Sequence, residues 1–188
     1  MSAAGFQSAV TALVSTGTYP TDVDVTEQER RRLDRVQQQA GRELMRELYV
    51  AWRLTKVLSL LPFTCGAVSE DWLGKALARY WNKHPATSFY FIEECLEVVG
   101  FLRQAILELP GAPLLLDVLA FDEVRLAARA GAAAGHSSPK FVRLSHEPAA
   151  LLRALREGGD LNAVPPDDVE LRVEVTAAGE EVWSIVPA

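Results

Sequence analysis

The chain has 188 residues, 49% of them hydrophobic and 23% charged, with a formal net charge of -6. That suffices for one large domain, or one domain with a small annex, around an ample core. The acidic balance argues against a general nucleic-acid binder, whose phosphate contacts need a basic surface.

Residues 3–15 suit a short helix, with Phe6, Val10 and Val14 at helical spacing, and Gly17 to Pro20 break it. The segment also lacks the charged start and long apolar stretch of a signal peptide. Thr26 to Glu29 fits a capping box, in which Thr takes an orphan amide and Glu reaches back. One long helical pattern is expected from there to about Leu60. Its first part is very polar and predicts a surface stretch; its second, with Met45, Tyr49, Trp52, Leu54, Val57 and Leu58, is apolar nearly all round and predicts burial.

Leu61-Pro62 ends that pattern. Ser69 is the expected cap of a helix running to about Lys83, with Trp72, Leu73, Ala76, Leu77 and Tyr80 on one side. His84-Pro85 stops it, because proline disfavours the helical region in the residue before it. Ser88 is the expected cap of the next helix, whose buried face is marked by Phe89, Ile92, Leu96, Val99, Leu102 and Ile106. Pro110 to Pro113 closes that helix, and another is expected from about Pro113 to Ala130.

Gly131 to Pro139 is small, polar and glycine-bearing, and reads as a linker. Beyond it, Phe141 to Leu144 suits a short strand and Glu147 to Arg156 a short helix. Val169 to Thr176 alternates, with Val169, Leu171, Val173 and Val175 on one face, as a half-buried antiparallel strand does. Ala177 to Glu180 is a turn in which Gly179 is free to take positive φ, and Glu181 to Val186 returns as the hairpin partner. The expected fold is α+β: an N-terminal helical bundle, residues 1–133, followed by a small αβ domain, residues 139–188, with about three antiparallel strands. No apolar run reaches the roughly 20 residues that span a bilayer, so a cytoplasmic, non-membrane protein is expected.

Catalytic patterns are missing from the sequence. His84, His136 and His146 stand at no metal-ligand spacing from one another, and Cys65 and Cys95 have neither a second Cys nor a His at such spacing. The cysteines read as reduced thiols packed in helices. Glu93, Glu94 and Glu97 lack the Glu-x-x-His pair of a carboxylate di-iron site. There is no phosphate loop and no G-x-S-x-G. Asp122 and Arg125, three residues apart, suit a structural ion pair. The expectation is therefore a chain with no catalytic, cofactor-binding or metal-binding residues of its own. A small annex with few strands does leave an open edge, and such edges template added strands.

The segment ALARYWNKHPATSFYFIEECLEVVGFLR, preceded by LSLLPFTC and followed by LLLDVLAFDEVRLAARAG, resembles the small partner proteins of multinuclear non-heme iron-dependent oxidative enzymes. These act in the biosynthesis of ribosomally made, modified peptides, as in the methanobactin and thiaglutamate pathways. The resemblance covers about residues 40–188. It implies a helical part followed by an αβ part similar to leader-recognition elements, with the iron held in a partner barrel enzyme. The chain would then be an accessory subunit. It would bind the leader of a precursor peptide and present a cysteine-containing core to that oxidase. Peptide docking is expected at Phe141, Val142, Arg143 and Leu144, and partner contact at Tyr80, Trp81, His84 and Tyr90. The alternative is a winged-helix-like DNA-binding regulator, which the strand–helix–hairpin order permits. Against it, the annex helix carries only Arg153 and Arg156 for phosphate contact.

Overall fold

The structure, a computed structural model, describes residues 3–39, 41–84, 91–136, 138–176 and 178–186. It is an α+β protein whose helices lie mostly toward the N-terminus and whose antiparallel sheet lies at the C-terminal end. The helices are α1 (Ala3–Thr16), α2 (Glu27–Gln37), α3 (Arg42–Leu60), α4 (Pro62–Ala67), α5 (Glu70–Lys83), α6 (Phe91–Ile106), α7 (Ala112–Ala133) and α8 (Pro148–Glu157). The strands are β1 (Lys140–His146), β2 (Pro166–Val175) and β3 (Glu181–Ile185). Two compact units form, residues 1–56 with 78–91, and residues 57–77 with 92–188.

In the first unit, Thr26 caps α2 with both halves of the capping box: Glu29 N–H donates to Thr26 Oγ1 at 3.2 Å, and Thr26 N–H donates to Glu29 Oε2 at 2.8 Å. These bonds to Thr26 hold the Glu29 carboxyl below its usual range. Ala9 and Leu13 of α1 and Leu33 of α2 form a small core, joined by Phe6, Tyr19, Val23 and Val25. The long helix expected to Leu60 is two helices. Gln38 closes α2 by giving its N–H to Asp34 O at 3.1 Å, and α3 starts only at Arg42. The sequence there is Gln38, Gln39 and then Gly41, with no apolar face to hold the chain helical, and glycine costs about 1 kcal/mol against alanine in a helix. Nor is α3 buried nearly all round as expected: Leu44, Met45, Leu48, Trp52 and Leu58 are exposed, and burial is confined to Arg53, Lys56 and Val57.

The second unit is organised on α7. Gly111 takes a left-handed φ of 73° before it, and Pro113 sits in its first turn, where a missing N–H costs nothing. One face of α7 enters three apolar clusters. Leu114 and Val118 pack with Leu151 of α8 and Val164. Phe121 packs with Leu144 of β1 and Leu171 of β2. Val124 and Ala128 pack with Val173 of β2. The ring of Phe121 stacks on Trp183 of β3 at 4.1 Å and meets Phe63 of α4 edge-on at 5.3 Å. In α6 the buried face is Cys95, Val98, Val99, Leu102 and Ile106, so it is rotated from the expected stripe and leaves Leu96 outside. The expected cap at Ser88, with Pro85 and Phe89, lies outside the described residues.

The sheet has the order β1-β2-β3, both pairs antiparallel. Thr176 N–H donates to Glu180 O at 2.8 Å and Gly179 has φ 82°, so the β2–β3 turn uses glycine as the sequence indicates. Val169, Leu171, Val173 and Val175 do share the more buried face of β2, while Glu170 and Arg172 are exposed.

Because Phe121 is only 2% exposed and packs with Leu144 of β1, Leu171 of β2 and Trp183 of β3, its loss leaves a cavity that flanking rings cannot fill. Phe121→Ala should lower unfolding free energy by about 3–5 kcal/mol, read from urea unfolding of both proteins. A loss below about 1 kcal/mol would mean that α7 is not the support of the sheet.

Candidate functional site

Each strand residue of an antiparallel sheet points its N–H and C=O to the same side, and the sides alternate along the strand. In β2 the alternation is set by two bonds at the β3 side: Val186 N–H donates to Glu170 O at 2.9 Å, and Thr176 N–H to Glu180 O. The even residues of β2 therefore bond β3, and Val169, Leu171 and Val173 bond β1. Their partners in β1 are Leu144, Val142 and Lys140. It follows that the backbone groups of Phe141 and Arg143 point away from β2, toward an edge that no fourth strand occupies among the described residues.

Of the four residues expected to take a peptide, two present side chains to solvent and two do not. Phe141 is 53% exposed, and Arg143 is exposed beside it. Val142 is half-buried and Leu144 is buried in the cluster under Phe121. Arg143 grips Asp168 with two nitrogens, Nε to Oδ1 at 2.6 Å and a second bond to Oδ2. That guanidinium holds the Asp168 carboxyl below its usual range. Both side chains are solvent-exposed, so the pair adds little stability, but it keeps Arg143 extended along the outer face.

The end of β1 is closed by a cluster not foreseen from the sequence. Asp117 Oδ2, on α7, accepts from Ser145 N–H at 2.8 Å and from Ser145 Oγ at 2.9 Å, and His146 Nδ1 lies 2.7 Å from it. Ser145, His146 and Asp117 are the residue types of a hydrolytic triad, but the geometry is not a relay. Ser145 Oγ lies 3.1 Å from the same Nδ1 that faces the acid, whereas a relay needs the hydroxyl on the other ring nitrogen. The cluster anchors the strand end, where the β1–β2 register shifts between Leu144 and His146. The signal available in the sequence was an acid inside an otherwise apolar helix.

A second buried carboxylate ties the other side of the sheet. Asp122 is 0% exposed; its Oδ2 accepts from Thr64 N–H at 2.7 Å and Thr64 Oγ1 at 2.9 Å, and its Oδ1 from Arg125 at 3.1 Å. Arg125 continues to Glu181 of β3, with bonds of 2.8 and 3.2 Å, and Arg129 adds one of 2.5 Å. Burial pushes the Asp122 carboxyl up to about 6, against the lowering pull of Thr64 and Arg125. Burial also raises Glu181, but Arg125 and Arg129 together outweigh it and leave that carboxyl below its usual range.

Of the expected partner-contact residues, Tyr80 is buried and stacks on the His84 ring at 4.5 Å, Trp81 is partly buried, and His84 is exposed. Arg53 donates to His84 O at 3.0 Å and lies over the Trp81 ring at 5.0 Å. Tyr90 lies outside the described residues. Among the described residues, no three His, Cys, Asp or Glu side chains gather as a metal ion would require. Cys65 and Cys95 are free thiols, and burial pushes Cys65 up to about 12, which leaves it a poor nucleophile at neutral pH. No described helix is long and apolar enough to cross a membrane. No family model matches the chain, and no curated protein matches it.

The raised Asp122 carboxyl has a thermodynamic consequence. Between pH 3.8 and about 6 the folded chain holds a proton there that the unfolded chain has lost, so this group's contribution to stability falls as pH rises through that window, by about 3 kcal/mol in all. Asp122→Asn removes that titration. The stability of the natural protein relative to Asp122→Asn should therefore drop by roughly that amount from pH 4 to pH 7 in urea unfolding. Parallel pH profiles for the two proteins would show that Asp122 does not titrate in this range.

Proposed function

We propose that this chain is a non-catalytic accessory subunit that binds the leader of a ribosomally made precursor peptide and presents the peptide's cysteine-containing core to a partner iron-dependent oxidase. The observation that carries this reading is the outer edge of β1, where Phe141 and Arg143 present backbone donors and acceptors to a side without a fourth strand among the described residues. An extended peptide added there gains main-chain hydrogen bonds, and the side chains beside it select among sequences. The edge is held rigid from behind by Leu144 in the core and Asp117 at the strand end, so a guest strand meets a preformed template and little has to be ordered on binding. The iron and the oxidation chemistry belong to the partner, and this chain supplies binding and position. The partner's contact surface is assigned to the exposed side of His84 and Trp81.

The test is co-purification. The chain, carrying an affinity tag, is mixed with any iron-dependent barrel oxidase and short precursor peptide that the neighbourhood of its gene encodes; a neighbourhood encoding neither would also overturn the proposal. A ternary complex stable at micromolar concentration is expected, with the oxidase inactive on the peptide when this chain is left out. Full oxidase activity without this chain, or no peptide retained on it, would overturn the proposal.

A further inference from the structure

The β1 edge is not uniformly open, and its closure sets what can dock. This step rests on the peptide-binding reading above. Along the outer side of β1 the backbone groups that face away from β2 belong to Phe141, Arg143 and then Ser145. The Ser145 amide is already given to Asp117 Oδ2 at 2.8 Å, with the Ser145 hydroxyl on the same oxygen. A strand extending past Arg143 would have to displace a buried carboxylate from these donors and from His146, leaving that charge unsatisfied. At the other end, Lys140 heads the strand, and no hydrogen bond or ion pair engages its ammonium among the described residues.

We infer that Phe141 and Arg143 carry the docking of the guest strand, that Asp117 is its end stop at Ser145, and that the segment it takes has an apolar side chain beside Phe141 and a carboxylate in reach of Lys140. The occupant is argued from charge and shape. Of the cations of β1, Arg143 is held by Asp168 and His146 lies against Asp117, which leaves Lys140 as the one that no acid engages among the described residues, within a chain of net charge -6. A guest carboxylate is repelled by most of this protein's surface and is attracted to Lys140. Phe141, 53% exposed on the outer face, lacks an apolar cross-strand neighbour, since its partner in β2 is Arg172. A guest residue directly beside it completes an apolar cross-strand pair. The opposite edge offers no such cation: β3 reads EVWSI, and its Glu181 is already taken by Arg125 and Arg129.

Edge prolines separate this register from every other mode of binding. Proline at 141 or 143 deletes an outward N–H without breaking a bond to β2, and prolines are tolerated on the free side of an edge strand. The probe is a fluorescein-labelled synthetic peptide alternating Leu and Glu, followed by anisotropy against the natural chain, Phe141→Pro, Arg143→Pro, Lys140→Gln and, on the far edge, Ile185→Pro. Phe141→Pro and Arg143→Pro should each weaken binding by about tenfold or more, with urea midpoints close to the natural protein's. Ile185→Pro should bind as the natural chain does. Lys140→Gln should lose a few-fold in affinity and flatten its salt dependence. In the unsubstituted protein, amide hydrogen exchange at Phe141 and Arg143 should slow on adding the peptide while that of Ser145 stays unchanged, a readout that no folding defect can imitate. Failure of the natural chain to bind the Leu/Glu peptide overturns this inference, while retention of a precursor peptide in the co-purification above leaves the peptide-binding reading standing. Binding that survives both β1 prolines, or that is lost in Ile185→Pro alone, leaves peptide binding standing and overturns the register. A salt dependence unaltered in Lys140→Gln overturns the assignment of a guest carboxylate to Lys140.

Discussion

A carboxylate with no exposed surface holds the C-terminal unit together. Asp122 takes the Thr64 amide and hydroxyl with one oxygen and Arg125 with the other, and Arg125 passes on to Glu181. Three elements that share no backbone hydrogen bond, α4, α7 and β3, are thereby joined through charge-assisted contacts. In a low-dielectric setting such contacts are strong when complete and costly when any one partner is missing. The arrangement also explains why a hairpin strand of only five residues is held in a fixed place against the helix. Trp183 stacks on Phe121, and the ion pairs at Glu181 fix the strand's start.

α7 works as a spine because it carries two acids on its buried side as well as its apolar face. Asp117 pins the end of β1 and Asp122 binds α4 and, through Arg125, the start of β3, five residues apart along the helix. Between them lie Val118, Leu119 and Phe121, which supply the burial. Apolar contact keeps the sheet on the helix but is non-directional. The two carboxylates, each with several directed donors, set where along the helix the strands sit. For the edge of β1 this matters directly: the same Asp117 that positions the strand consumes the last of its outward amides.

The first unit follows different rules. Its α1–α2 core is small, and its most deeply buried cation among the described residues, Arg53, is accommodated by the His84 carbonyl and by the faces of Trp81 and Tyr49. A guanidinium is weakly hydrated and stacks on rings, so it can be buried where an isolated ammonium would be far more costly. The aromatic residues that stand out in the sequence around position 80 thus serve, in part, to hold an arginine from another helix.

Local signals were legible without coordinates. The capping box at Thr26, the stop at Leu61-Pro62, the alternation of Val169 to Val175 and the glycine turn at 179 each depend on neighbours in sequence, and the α+β order followed from them. The Asp122–Arg125 pair could be read too, since three residues bring side chains together on one helix face. Periodicity failed where a break had no apolar signature, at Gln38 to Gly41, and where Pro62 began a short helix as well as ending a long one. What only tertiary structure decided is which groups from distant segments meet. Thr64 finds Asp122 across 58 residues, Asp117 finds Ser145 across 28, and Arg125 finds Glu181 across 56. Strand alternation shows which residues share a face. It does not show which backbone groups face a neighbour and which face an edge, because that depends on where the other strands and a helix carboxylate are placed.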